Sequence, residues 1–351
     1  MAEAPKLMAE QSHDVRVVVA GASAGGVEAL VQFVGSLPTT IPYAVLVVLH
    51  VAPSGTSVLP SILARAARVP VASPGDGDAF RDGHVYVAPP DRHLLVEDGV
   101  LRLSQAPREN GHRPALDPTM RSAAEHYGAG AVGIVLSGSR DDGTAGLLAI
   151  KEHGGLALAQ DPEEAPYDGM PRSAIAHVAV DAVLPVDRMA DWILHVGEQH
   201  RIHKGVGAAG GPGSAADNPR APLSDLEPMP SPAQARGNGT RFTCPDCGGV
   251  LFERREAGLE RFACSVGHVY SIDSLAAAEA EDIESALWAA VRTLEDRVAL
   301  LGRIAARAAG SEHHRSARAF EAQARELAER ARIIRSAIEQ VSADRSAAAE
   351  A

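Results

Sequence analysis

Short apolar runs alternate along residues 15–202 with segments whose apolar positions recur every three or four residues. Continuous apolar runs are typical of strands buried on both faces, and they occur at residues 15–20, 44–50, 131–137, 156–160 and 178–183. The wider spacing is typical of helices, and it occurs at residues 27–35, 58–67, 117–127, 143–154 and 190–200. Strands that alternate with helices predict right-handed βαβ units. We therefore expect an α/β domain with a doubly wound, mostly parallel sheet.

A different pattern at residues 94–103 predicts an antiparallel hairpin at one edge of this sheet. Two short alternating runs flank Asp98-Gly99, a dipeptide that favours tight hairpin turns. Strands joined by so short a turn pair with each other in antiparallel fashion, so the hairpin interrupts an otherwise parallel arrangement.

The residues beyond the α/β domain divide into a linker, a small Cys/His unit and a helical tail. The linker is rich in glycine and proline and poor in large apolar side chains, so it cannot bury enough surface to fold. The tail has two apolar stripes at helical spacing, separated at Gly310-Ser311, which predicts a helical hairpin. The boundaries we expect are 1–13 for a disordered N-terminal tail, 14–203 for the α/β domain, 204–240 for the linker, 241–271 for the Cys/His unit, 272–342 for the helical hairpin and 343–351 for a disordered C-terminal tail.

Composition and charge narrow the class of protein. The chain has 351 residues, of which 46% are hydrophobic, which suits about two domains with ordinary cores. A formal net charge of −12 argues against a general nucleic-acid binder, which needs a basic surface. Apolar runs are too short for a membrane span, and residues 1–13 lack a signal-peptide pattern, so we expect no membrane insertion. Three cysteines do not make a disulfide framework, and we expect a cytoplasmic protein.

Ser23 lies in a turn of sequence GASAGG, residues 21–26, between the first predicted strand and the first predicted helix. Such a turn brings backbone N–H groups and a helix N-terminus to one point, where negative charge is stabilised. Two uses of that point compete: it could bind a cofactor phosphate, or it could hold a nucleophile beside donors for an oxyanion. The turn lacks the G-x-G-x-x-G pattern of dinucleotide-binding folds, and His50 rather than an acidic residue ends the second strand.

Polar side chains that can do chemistry follow three of the predicted strands. Ser23 follows the first strand and His50 ends the second. Asp141 and Asp142 follow the strand at residues 131–137. Because the carboxyl ends of parallel strands meet at one edge of a sheet, a hydroxyl, an imidazole and a carboxylate gather there, as a nucleophilic hydrolase requires. Residue types alone leave this triad and a phosphate-binding turn both open, and they do not choose between the two aspartates.

Six segments follow one another in order: GASAGG at residues 21–26, His50, VYVAP at 85–89, RPALD at 113–117, LSGSRDDG at 136–143 and GMPR at 169–172. Together they resemble the catalytic domain of the chemotaxis protein-glutamate methylesterases, the CheB family, over residues 15–196. The resemblance implies a doubly wound domain that hydrolyses γ-glutamyl methyl esters of chemoreceptors and releases methanol. Some members of the family also deamidate receptor glutamines. The implied partner is a methylated chemoreceptor or a similar signalling protein.

The resemblance implies a role for each matching residue. Ser23 would be the nucleophile, His50 the general base and acid, and Asp142, which directly precedes a glycine, the orienting carboxylate. The backbone N–H after Ser23 would hold the oxyanion. No cofactor is expected for catalysis.

The sequence departs from the family pattern in three ways. Ala24 stands where the family usually has threonine, and GSR at residues 138–140 replaces the usual Gly-Met-Gly. The receiver domain that usually precedes the catalytic domain is not expected here, because few residues precede the first strand. An alternative therefore stays open, in which the chain is a non-catalytic regulatory protein on a methylesterase fold.

The Cys/His unit has the spacing of a zinc knuckle. Cys244 and Cys247 form a C-x-x-C pair, and Cys264 and His268 form a second pair of ligands. Three thiolates and an imidazole suit tetrahedral zinc, and four protein ligands leave no open position for water, so a structural rather than a catalytic ion is expected. A metal-free knuckle and a disulfide are the alternatives. With the helical tail, the unit is expected to bind a regulatory partner that the sequence does not identify.

Overall fold

The computed structural model describes residues 15–349 apart from residues 56, 98, 206–238, 257 and 312. These residues form two compact units, which divide between Leu275 and Ala276. The expected tail at residues 1–13, most of the expected linker and Asp98 of the predicted hairpin turn lie outside the described residues.

A seven-stranded, all-parallel sheet forms the centre of the first unit, which confirms the predicted α/β class. The strand order is β3-β4-β2-β1-β7-β8-β9. The elements of this region, in chain order, are β1 (Val17–Ala22), α1 (Gly26–Ser36), β2 (Ala44–Leu49), α2 (Leu59–Ala66), β3 (Val71–Ala72), β4 (Val85–Val87), β5 (His93–Glu97), β6 (Val100–Ser104), α3 (Leu116–Tyr127), β7 (Ala131–Val135), α4 (Thr144–Glu152), β8 (Leu156–Gln160), α5 (Gly169–His177), β9 (Ala182–Leu184) and α6 (Val186–Gly205).

Helices cover both faces of the sheet, which explains why its strands are apolar at nearly every position. Val18 of β1 packs in one core with residues of α1 and α6, such as Phe33 and Ile193. Its neighbour Val19 packs in a second core with Leu116 of α3. Successive side chains of a strand point to opposite faces, so a sheet buried on both sides needs continuous apolar runs.

The strand order reverses at β1, with β2 on one side and β7 on the other. In parallel α/β sheets a crevice opens at such a point, outside the carboxyl ends of the strands. The loops after β1, β2 and β7 therefore share one crevice, and they carry Ser23, His50 and Asp142 respectively.

Three features of this region differ from the sequence predictions. The antiparallel hairpin exists as β5 and β6, but it forms a two-stranded sheet of its own rather than an edge of the main sheet. The backbone N–H of Val96 in β5 donates to Ser122 Oγ of α3 at 3.1 Å, which ties the hairpin to that helix. Strand β3 and helix α5 were not predicted, because β3 is two residues long and α5 begins with Gly-Met-Pro, a poor helical pattern.

The Cys/His ribbon, residues 239–271, is a four-stranded antiparallel sheet within the first compact unit. Its strands are β10 (Gly239–Thr243), β11 (Val250–Glu256), β12 (Leu259–Cys264) and β13 (Val269–Ser271).

Two long helices form the C-terminal part, as predicted. They are α7 (Ile272–Gly310) and α8 (His314–Ala349), so the chain leaves the first helix at the expected Gly310-Ser311 position. Each helix buries part of its apolar stripe, including Val291 in α7 and Ile338 in α8. Helix α8 continues to Ala349, so residues 343–349, which were expected to be a disordered tail, are helical. Among the described helices, none combines the length and hydropathy needed to cross a membrane.

Replacing Gly133 of β7 with alanine tests the packing of the sheet against α4. A Cβ there would lie 2.5 Å from Leu147 Cδ2 and 2.7 Å from Ile150 Cδ1, so we expect the free energy of unfolding to fall by about 1–3 kcal/mol. Gly35→Ala in α1 is the matched control, because its Cβ would approach no atom closer than 3.7 Å, and alanine favours the helix by up to about 1 kcal/mol. Chemical denaturation measures both variants, and parental stability of Gly133→Ala would contradict the packing.

Candidate active site

Ser23 lies in the tight turn between β1 and α1. Its N–H donates to the carbonyl of Ser137 at 2.9 Å, and its own carbonyl accepts from Gly26 N–H at 3.0 Å. Gly25 has a φ of 66°, in the left-handed region, and a Cβ there would approach Ser137 Oγ to 2.9 Å. The glycine-rich sequence therefore lets the turn press against the end of the neighbouring strand while it presents Ser23 in front of a helix N-terminus.

Ser23 and His50 line one open cleft with a volume of about 390 Å³. The other walls come from residues 51–53, after β2, and from residues 108 and 111–113, in the loop before α3. The cleft lies in the crevice where the strand order reverses, as expected for a ligand site in this class of fold.

His50 is hydrogen-bonded to Asp142, with 2.7 Å between Nε2 and Oδ2. A carboxylate can only accept, so we assign the proton to Nε2, and Nδ1 is then the basic nitrogen. Nδ1 is buried and has no hydrogen-bond partner among the described residues. The two side chains expose only 7% and 3% of their surfaces, so little water weakens their interaction.

Asp142 is held as an anion by several donors. Oδ2 also accepts Leu116 N–H at 2.7 Å, and Oδ1 accepts Asn110 Nδ2 at 2.9 Å. Burial by itself raises the pKa of Asp142. The hydrogen bond and charge of His50, together with the Leu116 N–H, outweigh that effect and hold the pKa well below its usual range.

Asp141, the other aspartate left open by the sequence, has different surroundings. Its Oδ1 accepts the Ser271 hydroxyl of the Cys/His ribbon at 2.7 Å. Burial raises the pKa of Asp141, although the Ser271 hydrogen bond opposes the rise. In this arrangement Asp142 rather than Asp141 is the carboxylate bonded to His50.

Asp117 is a second buried carboxylate beside Asp142, and it was not among the predicted site residues. Its Oδ1 accepts the N–H groups of Gly143 at 2.9 Å and Gly146 at 2.8 Å, at the start of α4. Burial and the charge of Asp142 raise the pKa of Asp117 to about 7, opposed by Arg261. Its place in the first turn of α3 gave no sign of this role, because acidic residues are common there.

His112 was also missed, because it lies in an irregular loop. Its ring stacks on that of His50, with 3.7 Å between centroids and 10° between planes. Burial, and then the charge of His50, lower the pKa of His112 to about 3. A neutral His112 therefore covers one face of the His50 ring.

The Cys/His cluster, formed by Cys244, Cys247, Cys264 and His268, has its four ligand atoms within 4.8 Å of one another. The Sγ atoms of Cys247 and Cys264 are 3.6 Å apart, and Cys264 Sγ lies 3.5 Å from His268 Nδ1. Metal–sulfur bonds of about 2.3 Å in a tetrahedron give ligand–ligand edges of about 3.5–3.8 Å. The cluster could thus hold a metal ion, and all three cysteines are free rather than joined in a disulfide.

Comparison with protein-family models supports one assignment. The model described as CheB methylesterase matches residues 18–193, which is half of the chain and includes Ser23, His50 and Asp142. The chain belongs to the CheB methylesterase family. The matched part contains no receiver domain.

Curated proteins and solved structures resemble the same half of the chain. A protein-glutamate methylesterase/protein-glutamine glutaminase of Anaeromyxobacter dehalogenans is 43% identical over 175 residues, 50% of this chain and 51% of that protein. A putative protein of the same name from Leptospira interrogans is 35% identical over 52% of this chain and 95% of its own length. The crystal structure of the Thermotoga maritima CheB methylesterase catalytic domain is 33% identical, with a TM-score of 0.50, over 52% of this chain and 98% of that domain. The chain spans about half the length of the first curated relatives it matches.

The lowered pKa of His112 predicts an acid-sensitive fold. The folded state takes up the His112 proton near pH 3, whereas an unfolded histidine takes it up near about pH 6.5. The unfolded state binds more protons between these values, so this group lowers the free energy of unfolding as the pH falls from about 6.5 towards 3. NMR titration of the His112 ring should give a midpoint near pH 3, and His112→Phe should reduce the acid sensitivity. A midpoint near about 6.5 would contradict the stacked, buried geometry.

Proposed function

We propose that this chain is a serine hydrolase that removes methyl groups from γ-glutamyl methyl esters of a chemoreceptor. The observation that carries the proposal is the His50–Asp142 hydrogen bond in a cleft that Ser23 lines, in a chain of the CheB methylesterase family. The names of the relatives support the same substrate class and add deamidation of glutamine. The regulatory partner expected for the C-terminal half stays a prediction.

In the first half of the reaction Ser23 Oγ attacks the ester carbonyl carbon while His50 Nδ1 takes the hydroxyl proton. Asp142 stabilises the imidazolium that forms. The Ala24 N–H, at the N-terminus of α1, is the donor we assign to the oxyanion. The bond from carbon to the methoxy oxygen then breaks, and methanol leaves with the proton held by His50.

In the second half, water attacks the acyl group on Ser23. His50 accepts a proton from the water and returns it to Ser23 Oγ as the acyl bond breaks, which releases the glutamate side chain. The same steps on a glutamine amide release ammonia in place of methanol, which is the glutaminase activity in the names of the relatives.

The charges around His50 suit these proton transfers. Asp142 is anionic because donors lower its pKa, and His112 is neutral because burial lowers its pKa. An imidazolium at His50 is therefore stabilised by the negative charge of Asp142. It is not destabilised by the ring of His112, which is uncharged.

Methanol release from a methylated receptor preparation tests the proposed reaction. We expect Ser23→Ala and His50→Ala each to lower kcat at least about a thousandfold, since each removes a member of a unit that acts together. An inactive parent that also fails to react with an electrophilic serine probe would support the alternative, a non-catalytic regulatory protein on this fold.

The two aspartates provide a matched pair for the same assay. Asp142→Asn should lower kcat by about 10⁴-fold, because an amide can present the wrong partner to His50 Nε2–H. Asp141→Asn keeps an acceptor for the Ser271 hydroxyl and should cost less than about tenfold. The reverse ranking would make Asp141 the orienting residue.

We also propose that the Cys/His cluster holds a structural zinc ion. Three separations of 3.5–3.6 Å between ligand atoms, and the mixture of thiolates and imidazole, support zinc over a hard cation, which prefers oxygen ligands. Such an ion, when bound, would fix the two loops of the ribbon and take no part in the ester chemistry.

Metal analysis of the purified protein tests this site. We expect one zinc per chain and its loss in Cys264→Ser, together with a lower melting temperature, because metal affinity adds to the stability of a small fold. Ser265→Ala is the control in the same loop, because it leaves all ligands in place. Zinc-free parent protein that melts like Cys264→Ser would exclude the metal site.

A further inference from the structure

The Cys/His ribbon packs against the residues that hold the candidate catalytic carboxylate. Arg261 of β12 is 2% exposed, and its Nη2 donates to Asp117 Oδ2 at 3.0 Å. The other oxygen of Asp117 accepts the Gly143 N–H, directly after Asp142. Asp117 thus connects Arg261 to the turn that places Asp142 beside His50.

A second route to Asp142 passes through Asn110 and starts at the last residue of the ribbon and the first turn of α7. Ser271 N–H and Ser274 Oγ donate to Asn110 Oδ1 at 3.2 and 3.1 Å. The amide nitrogen of Asn110 in turn donates to Asp142 Oδ1 at 2.9 Å and to Asp117 Oδ2 at 3.1 Å. Because Ser271 of the ribbon and Ser274 of α7 hold the acceptor end of this amide, its donor end is fixed towards the two carboxylates.

The ribbon also fixes the loop that forms one wall of the cleft. Asn110 N–H donates to the carbonyl of Val269 at 2.7 Å, and Val269 N–H donates to the carbonyl of Arg108 at 3.3 Å. Arg108 and His112 of this loop line the cleft. Val269 directly follows His268 of the Cys/His cluster. Strand β13, which holds this wall, therefore begins at the residue after a proposed metal ligand.

We propose that the Cys/His ribbon is a working part of the catalytic site, with Arg261 as a positioning residue that acts on Asp142 through Asp117. The inference rests on the proposed function, because it assigns a catalytic consequence to these contacts. Metal in the ribbon then controls turnover without touching the substrate.

The balance of charge gives the reason why Arg261 matters. Asp117 and Asp142 are buried together, and Glu109 also lies near, with Nη2 of Arg261 3.8 Å from its Oε2. Removing one partner of a buried ion pair leaves the other charge uncompensated. Loss of Arg261 leaves Arg121 as the cation that lowers the pKa of Asp117, so that pKa rises, and protonation of Asp117 alters the contacts that hold Asp142.

The ribbon has only a small apolar core of its own. Its buried apolar side chains among the described residues are Leu251, Phe262, Ala263 and Tyr270. A bound metal would add directly to the stability of so small a sheet. Loss of the ion would therefore loosen three contacts together: Arg261 with Asp117, Ser271 with Asn110, and Val269 with the loop that forms the cleft wall.

Three arginine variants test the positioning role. We expect Arg261→Met to lower kcat for methanol release by about 10- to 100-fold, as a displaced catalytic group does, and to leave KM within about threefold. Arg261→Lys should recover part of the loss, because a cation is restored. Arg255→Met is the matched control, since Arg255 lies exposed on β11 of the same ribbon. Zinc content is measured for every variant.

A second readout does not require esterase activity. The imidazole N–H that His50 donates to Asp142 gives a downfield proton resonance in NMR spectra. We expect this resonance in the parent and in Arg255→Met, and we expect it to shift or broaden in Arg261→Met. A chelator should have the same effect on the parent, and added zinc should reverse it.

The outcomes separate this inference from the proposed function. An unchanged resonance and unchanged kcat in zinc-bearing Arg261→Met, or in parent protein stripped of zinc, would overturn the coupling. If Arg261→Met does not fold, Ser271→Ala serves. It removes a hydroxyl that bonds Asp141 and also Ser274, the donor to Asn110, so it should still shift the resonance. A resonance that follows the ribbon, in a parent that neither releases methanol nor reacts with a serine probe, would refute the proposed function and leave the coupling standing.

Discussion

Asp117 and Asp142 are buried side by side, and much of the first unit is arranged to make that possible. They are 0% and 2% exposed, and a lone carboxylate in such surroundings would cost several kcal/mol, roughly. Backbone N–H groups at the starts of α3 and α4 supply hydrogen bonds to both carboxylates. His50 supplies a partner on one side and Arg261 on the other. Two helix starts, a strand end and the ribbon must therefore meet before the pair can form.

The same arrangement gives the two carboxylates different properties. Asp142 receives the His50 hydrogen bond, and its pKa lies well below the usual range, whereas burial and Asp142 itself raise the pKa of Asp117 to about 7. Neighbouring acids whose pKa values are pushed apart commonly have separate roles in a site. Here the anion faces the imidazole, and its neighbour caps α4 and so fixes the turn that carries Asp142.

Elements with long, uniform patterns were predictable from the sequence, and contacts between distant segments were not. The buried strands β1, β2 and β7 follow from continuous apolar runs, and the break after α7 follows from Gly310. Ser23 and His50 stood out because each interrupts or ends such a pattern. Arg261 gave no such signal, because its partner Asp117 is 144 positions away and the surrounding β12 sequence is that of an ordinary strand. His112 and Asn110 lie in a loop whose conformation depends on what packs against it.

The position of Arg261 has a consequence for how the two halves of the first unit stabilise each other. The family match ends at residue 193, whereas the ribbon begins at residue 239, so the matched fold brings the carboxylates together and a later segment supplies the guanidinium. A buried ion pair contributes only when both sides are folded. Coupling of this kind is reciprocal: whatever orders the ribbon favours the orientation of Asp142, and whatever draws charge onto His50 favours the ordered ribbon. The proposed coupling would therefore link binding in the cleft to metal retention by the ribbon, residues 239–271, through one carboxylate pair.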